Sequence, residues 1–493
     1  MGTKETALAA SAICLAGAAL AGVAIRSGAD RYTEAGRNVL VNKAGVVEAH
    51  NSPSLARNPR SPENVVATHR IDRPGFSAVV NWSADGGGSW ESTPLPLPRG
   101  RDRPFAPDAA FGPDGTLYVT YVNLEGSGNV PANLWLSRST DGGRTLSRPR
   151  RIAGKLAFQA RVAAGPGDAV HVTWLKGSEV GLLQLVGAPS PVVAARSDDG
   201  GRSFGRPVRV SDSSRELVGA ASPVIDSDGE LVVLYEDFKD DRRDFQNLEG
   251  PPWERPFALV VSRPVGRRAF SRGVQLEDGV LPTHRFLVFL PEFPSLAAGP
   301  GDTLYAAWHD GRNGDEDVFL RRSDDDGARW SSPKRVNDNP KGDDTSQYVP
   351  RVDVSPDGRV DVLFLDRRRD RKDVMTDATL ASSHDEGKSF TNKRISSRSF
   401  DSRIGASASQ ILPIDFGSRL GLLSDDERSL AAWTDTRRGS ADTGRQDIFA
   451  AGYEVPDPPG GLSSLPVIGG LLLAALALGA LAWASARRPR RKP

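Results

Sequence analysis

The sequence predicts an all-β protein, a β-propeller of seven four-stranded blades, and three observations predict it. A box of the form S-x-D-x-G-x-[ST]-[WF] recurs with leading serines at 83, 139, 197, 262, 323 and 383, the copy from Ser262 to Phe270 being worn and one residue longer. The steps between them are 56, 58, 65, 61 and 60 residues, one supersecondary unit each, which marks a radial or stacked architecture. Short apolar strands lie around each box, with turn residues at fixed offsets, as four-stranded blades require. A ring of six blades is the alternative, if the first or last unit is irregular.

The fifth unit shows the parsing. Residues 294–298 read as strand one, Gly299-Pro-Gly-Asp302 as a turn, 304–308 as strand two, 318–322 as strand three and 334–336 as strand four after the box. Matching turns stand at 112–115, 165–168, 226–229 and 355–358. After the sixth box one more unit begins, with 429–433 as strand two and 447–453 as strand three. It lacks a fourth strand of its own. Residues 38–42 resemble the other outer strands, such as 207–210, and are expected to complete the last blade, closing the ring and removing an unpaired edge. The propeller then spans 37–455.

The boxes read as structural. Ser83-Ala-Asp85-Gly-Gly87-Gly-Ser89-Trp90, Ser197-Asp-Asp199-Gly-Gly201-Arg-Ser203-Phe204 and Ser383-His-Asp385-Glu-Gly387-Lys-Ser389-Phe390 are the clean copies. The copy around Asp141 ends in Leu146, and the copy around Asp325 has Arg329 where Ser or Thr is expected. In each, Asp and Ser can bond backbone groups of the turn, Gly permits a positive φ, and the aromatic packs between strands. Asp85, Asp141, Asp199, Asp325 and Asp385 are therefore assigned to the fold.

The ends place the body relative to a membrane. Residues 1–28, with Lys4 and an Ala/Leu/Gly-rich run, read as a signal peptide or a signal anchor. The single cysteine, Cys14, lies in that run, so cleavage would leave no thiol for disulfides, catalysis or metal binding. Residues 456–466 form a Pro/Gly linker, 467–486 are apolar and long enough to cross a membrane as a helix, and 487–493 are a basic tail. Positive charge stays on the cytoplasmic side, so the propeller is expected outside a single-pass anchor. Leu465-Pro-Val-Ile-Gly469 resembles a sortase signal, but Ile468 stands where Thr is expected, which favours a plain membrane anchor. A net charge of +1 with 25% charged residues gives no electrostatic case for nucleic acid.

The boxes resemble the Asp boxes (bacterial neuraminidase repeats) of the sialidase superfamily, and phrases such as Ala431-Ala-Trp-Thr-Asp-Thr-Arg437 resemble its bacterial surface propellers. The resemblance covers nearly the whole propeller. It implies an active face on the side of the loops joining strands two and three. It also implies three arginines holding a substrate carboxylate, a Tyr activated by Glu as nucleophile, and an Asp as general acid. On that face Tyr348 would be the nucleophile, with Glu292 as its partner and Asp344 as a further carboxylate. Arg103, Arg285 and Arg351 precede or enter first strands there, and Arg403 lies nearby. The family's first arginine sits in an Arg-Ile-Pro context, which Arg70-Ile-Asp72 and Arg103-Pro-Phe105 match only in part.

A second pattern is independent of the resemblance. Strand two ends in Asp-x-Arg at Asp310/Arg312, Asp366/Arg368 and Asp435/Arg437, with a Lys version at Asp237/Lys239. Such residues would form an inter-blade ion-pair belt, or their planar forks would hold an acidic ligand. No cofactor is expected. The six histidines are scattered, against zinc, and the run 310–317 offers alternating oxygens like a calcium loop except for Arg312. Two functional readings stand: a recognition module for an extracellular glycan or surface protein, or a sialidase-type glycoside hydrolase cleaving terminal acidic sugars.

Overall fold

The computed structural model describes residues 37–43, 45, 47–126, 129–178, 189–239, 256–281, 293–405 and 416–456. Met1–Tyr453 form one compact unit, and Glu454–Pro493 a second of which only 454–456 are described. The segments read as signal, apolar span and tail lie outside the described residues, as does all of the linker but Pro456. Among the described residues no helix is long and apolar enough to cross a membrane.

Seven antiparallel sheets form the blades, here I to VII in chain order. Their first strands are Ala49–Arg57, Pro104–Phe111, Ala157–Ala164, Val218–Ile225, Ser295–Ala298, Gln347–Val354 and Gly421–Ser424. Each packs against the first strand of the next blade, and that of blade VII packs against that of blade I. The count is seven, not six. Blade VI departs from the four-stranded expectation, because Phe400–Asp401 adds a fifth strand beside Met375–Ser383.

Both sides of each sheet are covered by neighbouring blades, so the core lies between blades. The second strands Leu231–Asp237, Leu304–Asp310 and Val360–Asp366 are buried throughout, which explains why they are mostly apolar on both faces. Blade VII takes its outer strand from the other end of the chain: Val39–Leu40 pair antiparallel with Asp447–Glu454, Val39 opposite Ala450. The Val41 N–H donates to Ile448 O at 2.9 Å.

The boxes bond as their residue types suggest. Ser197 Oγ donates to Asp199 Oδ1 at 2.7 Å and accepts the Gly201 N–H at 2.8 Å. Asp199 accepts the Ser203 N–H at 2.8 Å and the Ser203 hydroxyl at 2.6 Å. Glycine is required at the next step, since Gly201 has a φ of 76° and a Cβ there would press on Leu136 of blade II at 3.0 Å. Asp85, Asp141 and Asp385 repeat this pattern, and in blade V Arg329 Nε replaces the hydroxyl, donating to Asp325 at 2.7 Å.

Candidate functional site

The box turns share one face with the turns between first and second strands. The other face carries the loops between second and third strands, together with the blade-to-blade connections. On that second face the backbone is strained in a repeating way. Five first strands carry a bulge near their start, at Asn51/Ser54, Phe105/Asp108, Phe158/Arg161, Gly219/Ser222 and Tyr348/Arg351. Within each bulge one non-glycine residue is left-handed: Ser52, Ala106, Gln159, Ala220 and Val349 have φ between 49° and 57°. Gly417, φ 99°, stands just ahead of the blade VII first strand, where a Cβ would collide with Ser52. Each strained non-glycine residue costs on the order of 1–3 kcal/mol, and bulges re-aim side chains beside sites.

Beside these bulges three arginines from three blades come together. Arg70 comes from the second strand of blade I, Arg161 from just past the bulge of blade III, and Arg419 from ahead of blade VII. Asp108 sits between two of them, 3.5 Å from Arg161 Nη1 and 3.6 Å from Arg419 Nη1. Its other oxygen accepts the Val162 N–H at 3.1 Å, which fixes the carboxylate. Arg70 Nε lies 3.0 Å from Asp72, and its Nη1 donates to Ser418 Oγ at 3.4 Å. Arg161 stacks 4.0 Å over Phe293, and Arg419 Nε donates to Ser52 O at 3.2 Å. Burial pulls the Arg419 guanidinium below its ordinary value, Asp108 pulls it back up, and Arg70 adds to the lowering.

A cavity of about 30 Å³ lies inside, lined by Arg70, Arg419, Gln159, Ser52, Phe293 and Pro107 among others. That is room for about one water. Arg70 and Arg419 line it, while Arg161 and Asp108 stand beside it, and guanidinium groups in surroundings where Coulomb terms are strong suit a single anionic group.

The predicted site residues that are described lie elsewhere. Tyr348 is buried, within 3.3 Å of Thr376 Oγ1, and accepts from Arg367 Nη2 at 3.0 Å. Burial works against the Arg367 charge, but Tyr348, Asp373 and Glu316 outweigh it and raise its pKa. Asp344 is exposed, with φ 62°. Arg103 is bound by Asn129 Oδ1 at 2.8 Å and Gly126 O at 3.0 Å. Arg351 ends the blade VI bulge, its charge close to Asp353. Glu292 and Arg285 lie outside the described residues.

The Asp-x-Arg pairs close mainly within their own blade rather than between blades. Arg368 lies 2.6 Å from Asp366, and Arg437 lies 2.6 Å from Asp435 and 4.4 Å over Phe449. Arg312 lies 2.5 Å from Asp310 and 4.5 Å over Phe319. Arg312 also reaches Glu277 of blade IV at 3.6 Å, and Arg368 bonds Asp338 of the connection between blades V and VI. The carboxylates that would begin and end a calcium loop are engaged by other donors: Asp310 by Arg312 and Trp308, Asp317 by Arg335 and Asn337. Among the described residues no group of three or more His, Cys, Asp or Glu is arranged to hold a metal ion.

Of the axial trio, the sequence singles out only Arg70. Arg161 and Arg419 belong to no repeated motif, and only the folding of three blades brings them to one carboxylate.

No family model matches this chain, and no curated protein matches it by sequence. Solved structures do. It is similar to phage phi92 endosialidase at 11% identity, covering 86% of this chain and 70% of that one, with a TM-score of 0.48. A Hadza microbial sialidase, Hz136, is 16% identical over 81% of this chain and 75% of its own, with a TM-score of 0.43. An α-L-arabinanase from Penicillium chrysogenum is 13% identical over 73% of this chain and 96% of its own, with a TM-score of 0.41.

Proposed function

We propose that this propeller is an extracellular recognition module, held to the membrane by residues 467–486, that binds a carboxylate-bearing sugar on the face of the bulges. The observation that carries the reading is the gathering of Arg70, Arg161 and Arg419 from three blades, with Asp108 between Arg161 and Arg419, and with Arg70 and Arg419 lining a cavity of about 30 Å³. Such a cavity holds about one water, so the anionic head of a ligand would sit at its mouth against Arg70 and Arg419, with the rest of the ligand above. Arg312, Arg368 and Arg437 already bond carboxylates in their own blades, which favours a structural part for them over ligand clamping. The pairing of Val39–Leu40 with the last blade supports the reading that the N-terminal segment closes the ring.

The test is calorimetric titration of the full-length chain in detergent with N-acetylneuraminate, glucuronate and neutral glucose. The acids should bind and glucose should not. Arg161→Gln should weaken acid binding about tenfold or more, as loss of a charge-assisted contact does. Equal binding of acids and glucose would overturn the reading. Turnover of a fluorogenic sialoside, lost in Tyr348→Phe, would replace it with the hydrolase.

A further inference from the structure

The repeat carries its own standard of comparison, and blade V departs from it. In blades I, II, III and VI the hydroxyl of Ser89, Thr145, Ser203 or Ser389 donates to the second oxygen of the box aspartate at 2.6–2.7 Å. In blade V the same bond is made by Arg329 Nε at 2.7 Å, while the Arg329 N–H donates to the other oxygen at 2.8 Å. One nitrogen does the hydroxyl's work, and the guanidinium has two more. Among the described residues those two have no partner, and the side chain is 89% exposed. Serine would make the same bond, and the exposed ion pair that Arg329 adds is worth little to the fold. The box nevertheless pins it, so little orientational freedom is left to lose when it binds.

The fork projects over a groove of about 750 Å³ between blades V and VI, on the face opposite the axial arginines. Its walls include Leu320, Trp330 and Pro333, with Lys334 and Lys388 also lining it. The Trp330 indole is held by a 3.1 Å bond from Nε1 to Gly327 O. Of the three lining carboxylates, Asp325 is taken by its box, Asp324 by Arg322, and Glu386 by both Arg322 and Lys388. The cations left uncommitted among the described residues are the Arg329 fork and the exposed Lys334. The groove thus offers a fixed guanidinium fork, a lysine and an indole in a space of small-ligand size.

We propose that this groove binds a short stretch of an acidic polysaccharide, with its carboxylate or sulfate groups on Arg329 and Lys334 and a sugar face against Trp330. A bounded cleft of this volume suits a few rigid rings. An acidic protein partner would need a broad surface of about 800 Å² on each side.

The test is biolayer interferometry of the full-length chain in detergent against immobilised polygalacturonate, dextran sulfate, neutral dextran and polyglutamate. Polygalacturonate or dextran sulfate should bind and dextran should not, and the stronger of the two identifies the anion as carboxylate or sulfate. Arg329→Ser restores the ordinary box, so it should keep the wild-type melting temperature while Kd rises about tenfold or more. Arg202→Ser removes the same charge from the blade III box and should leave Kd unchanged. Equal loss in Arg329→Ser and Arg202→Ser, or no loss in Arg329→Ser, would overturn the site, and tighter binding of polyglutamate would overturn the occupant. Arg161→Gln, which tests the axial site, should not change polysaccharide binding, so the two readings fail separately.

Discussion

Each box depends on one buried serine hydroxyl that both donates and accepts. Ser197 is 1% exposed, and its oxygen holds Asp199 and the Gly201 N–H together. Ser197→Ala strands that N–H, and we expect a loss of about 1–3 kcal/mol in denaturant unfolding. The Ser203 hydroxyl, its N–H and Ser197 hold the Asp199 carboxyl well below its usual range. Asp199→Ala should accordingly lower the melting temperature without touching ligand binding. Lost binding at an unchanged melting temperature would contradict the structural role. These residues were legible because the repeat prints the serine and aspartate together five times.

A buried histidine pair was not legible, since its members stand 19 residues apart and meet only across two strands of blade I. His50 Nδ1 lies 2.9 Å from His69 Nε2, and His50 Nε2 lies 3.0 Å from Glu48. With Glu48 accepting, the His50 proton is on Nε2 and His69 donates from its own Nε2. Burial lowers both pKa values, with Glu48 and Asp447 pulling His50 up and Arg445 pulling it down. An unfolded histidine binds its proton near pH 6.5, ahead of these folded ones. Their contribution to stability is therefore whole above about pH 6.5 and falls as the pH drops toward the folded values. His171, pulled to about 4 by burial and then by Arg196, acts in the same direction. Melting temperature should fall between about pH 7.5 and pH 5, and His69→Leu should flatten that slope whatever it does to stability at neutral pH. An unchanged slope would remove the pair from the account.

Strands, turns and the odd last unit could be read because each follows from local chemistry: short apolar runs, turn residues at fixed offsets, a missing fourth strand. The bulges could not. Left-handed Ser52, Ala106, Gln159, Ala220 and Val349 share no side-chain feature, and a β-branched residue such as Val349 at φ 51° runs against every local preference. Tertiary packing at the mouth imposes them. The contribution of the outer strand of blade VII can be measured directly. Val41 is 2% exposed and gives its N–H to Ile448 O at 2.9 Å. Beside it Asn42 accepts the Ile448 N–H at 2.7 Å and donates to Asp447 at 3.1 Å. Val41→Pro removes the first donor and should cost about 1–3 kcal/mol, with Asn42→Ala in the same direction. Melting curves indistinguishable from wild type in both would mean that the N-terminal strand does not hold the ring.

Across the whole molecule the two faces divide the work, and the division explains why the fold could be read from sequence while the axial site could not. A fold built of repeats states its requirements again in every blade, so the boxes on one face form a legible pattern. The opposite face gathers single residues from different blades, Arg70 from I, Asp108 from II, Arg161 from III and Arg419 from VII, and no spacing announces them. The same division separates the two proposed sites by electrostatics. Arg419 is one-tenth exposed and Asp108 about as little, whereas Arg329 is 89% exposed. Salt shortens the screening length from ~10 Å at 0.1 M to ~3 Å at 1 M, which weakens exposed charges far more than buried ones. Raising salt over that range should therefore weaken polysaccharide binding at the groove between blades V and VI steeply and acid-sugar binding at the axis only slightly. Equal salt dependence for the two ligands would place both on one exposed surface, and the axial arginines would then be structural.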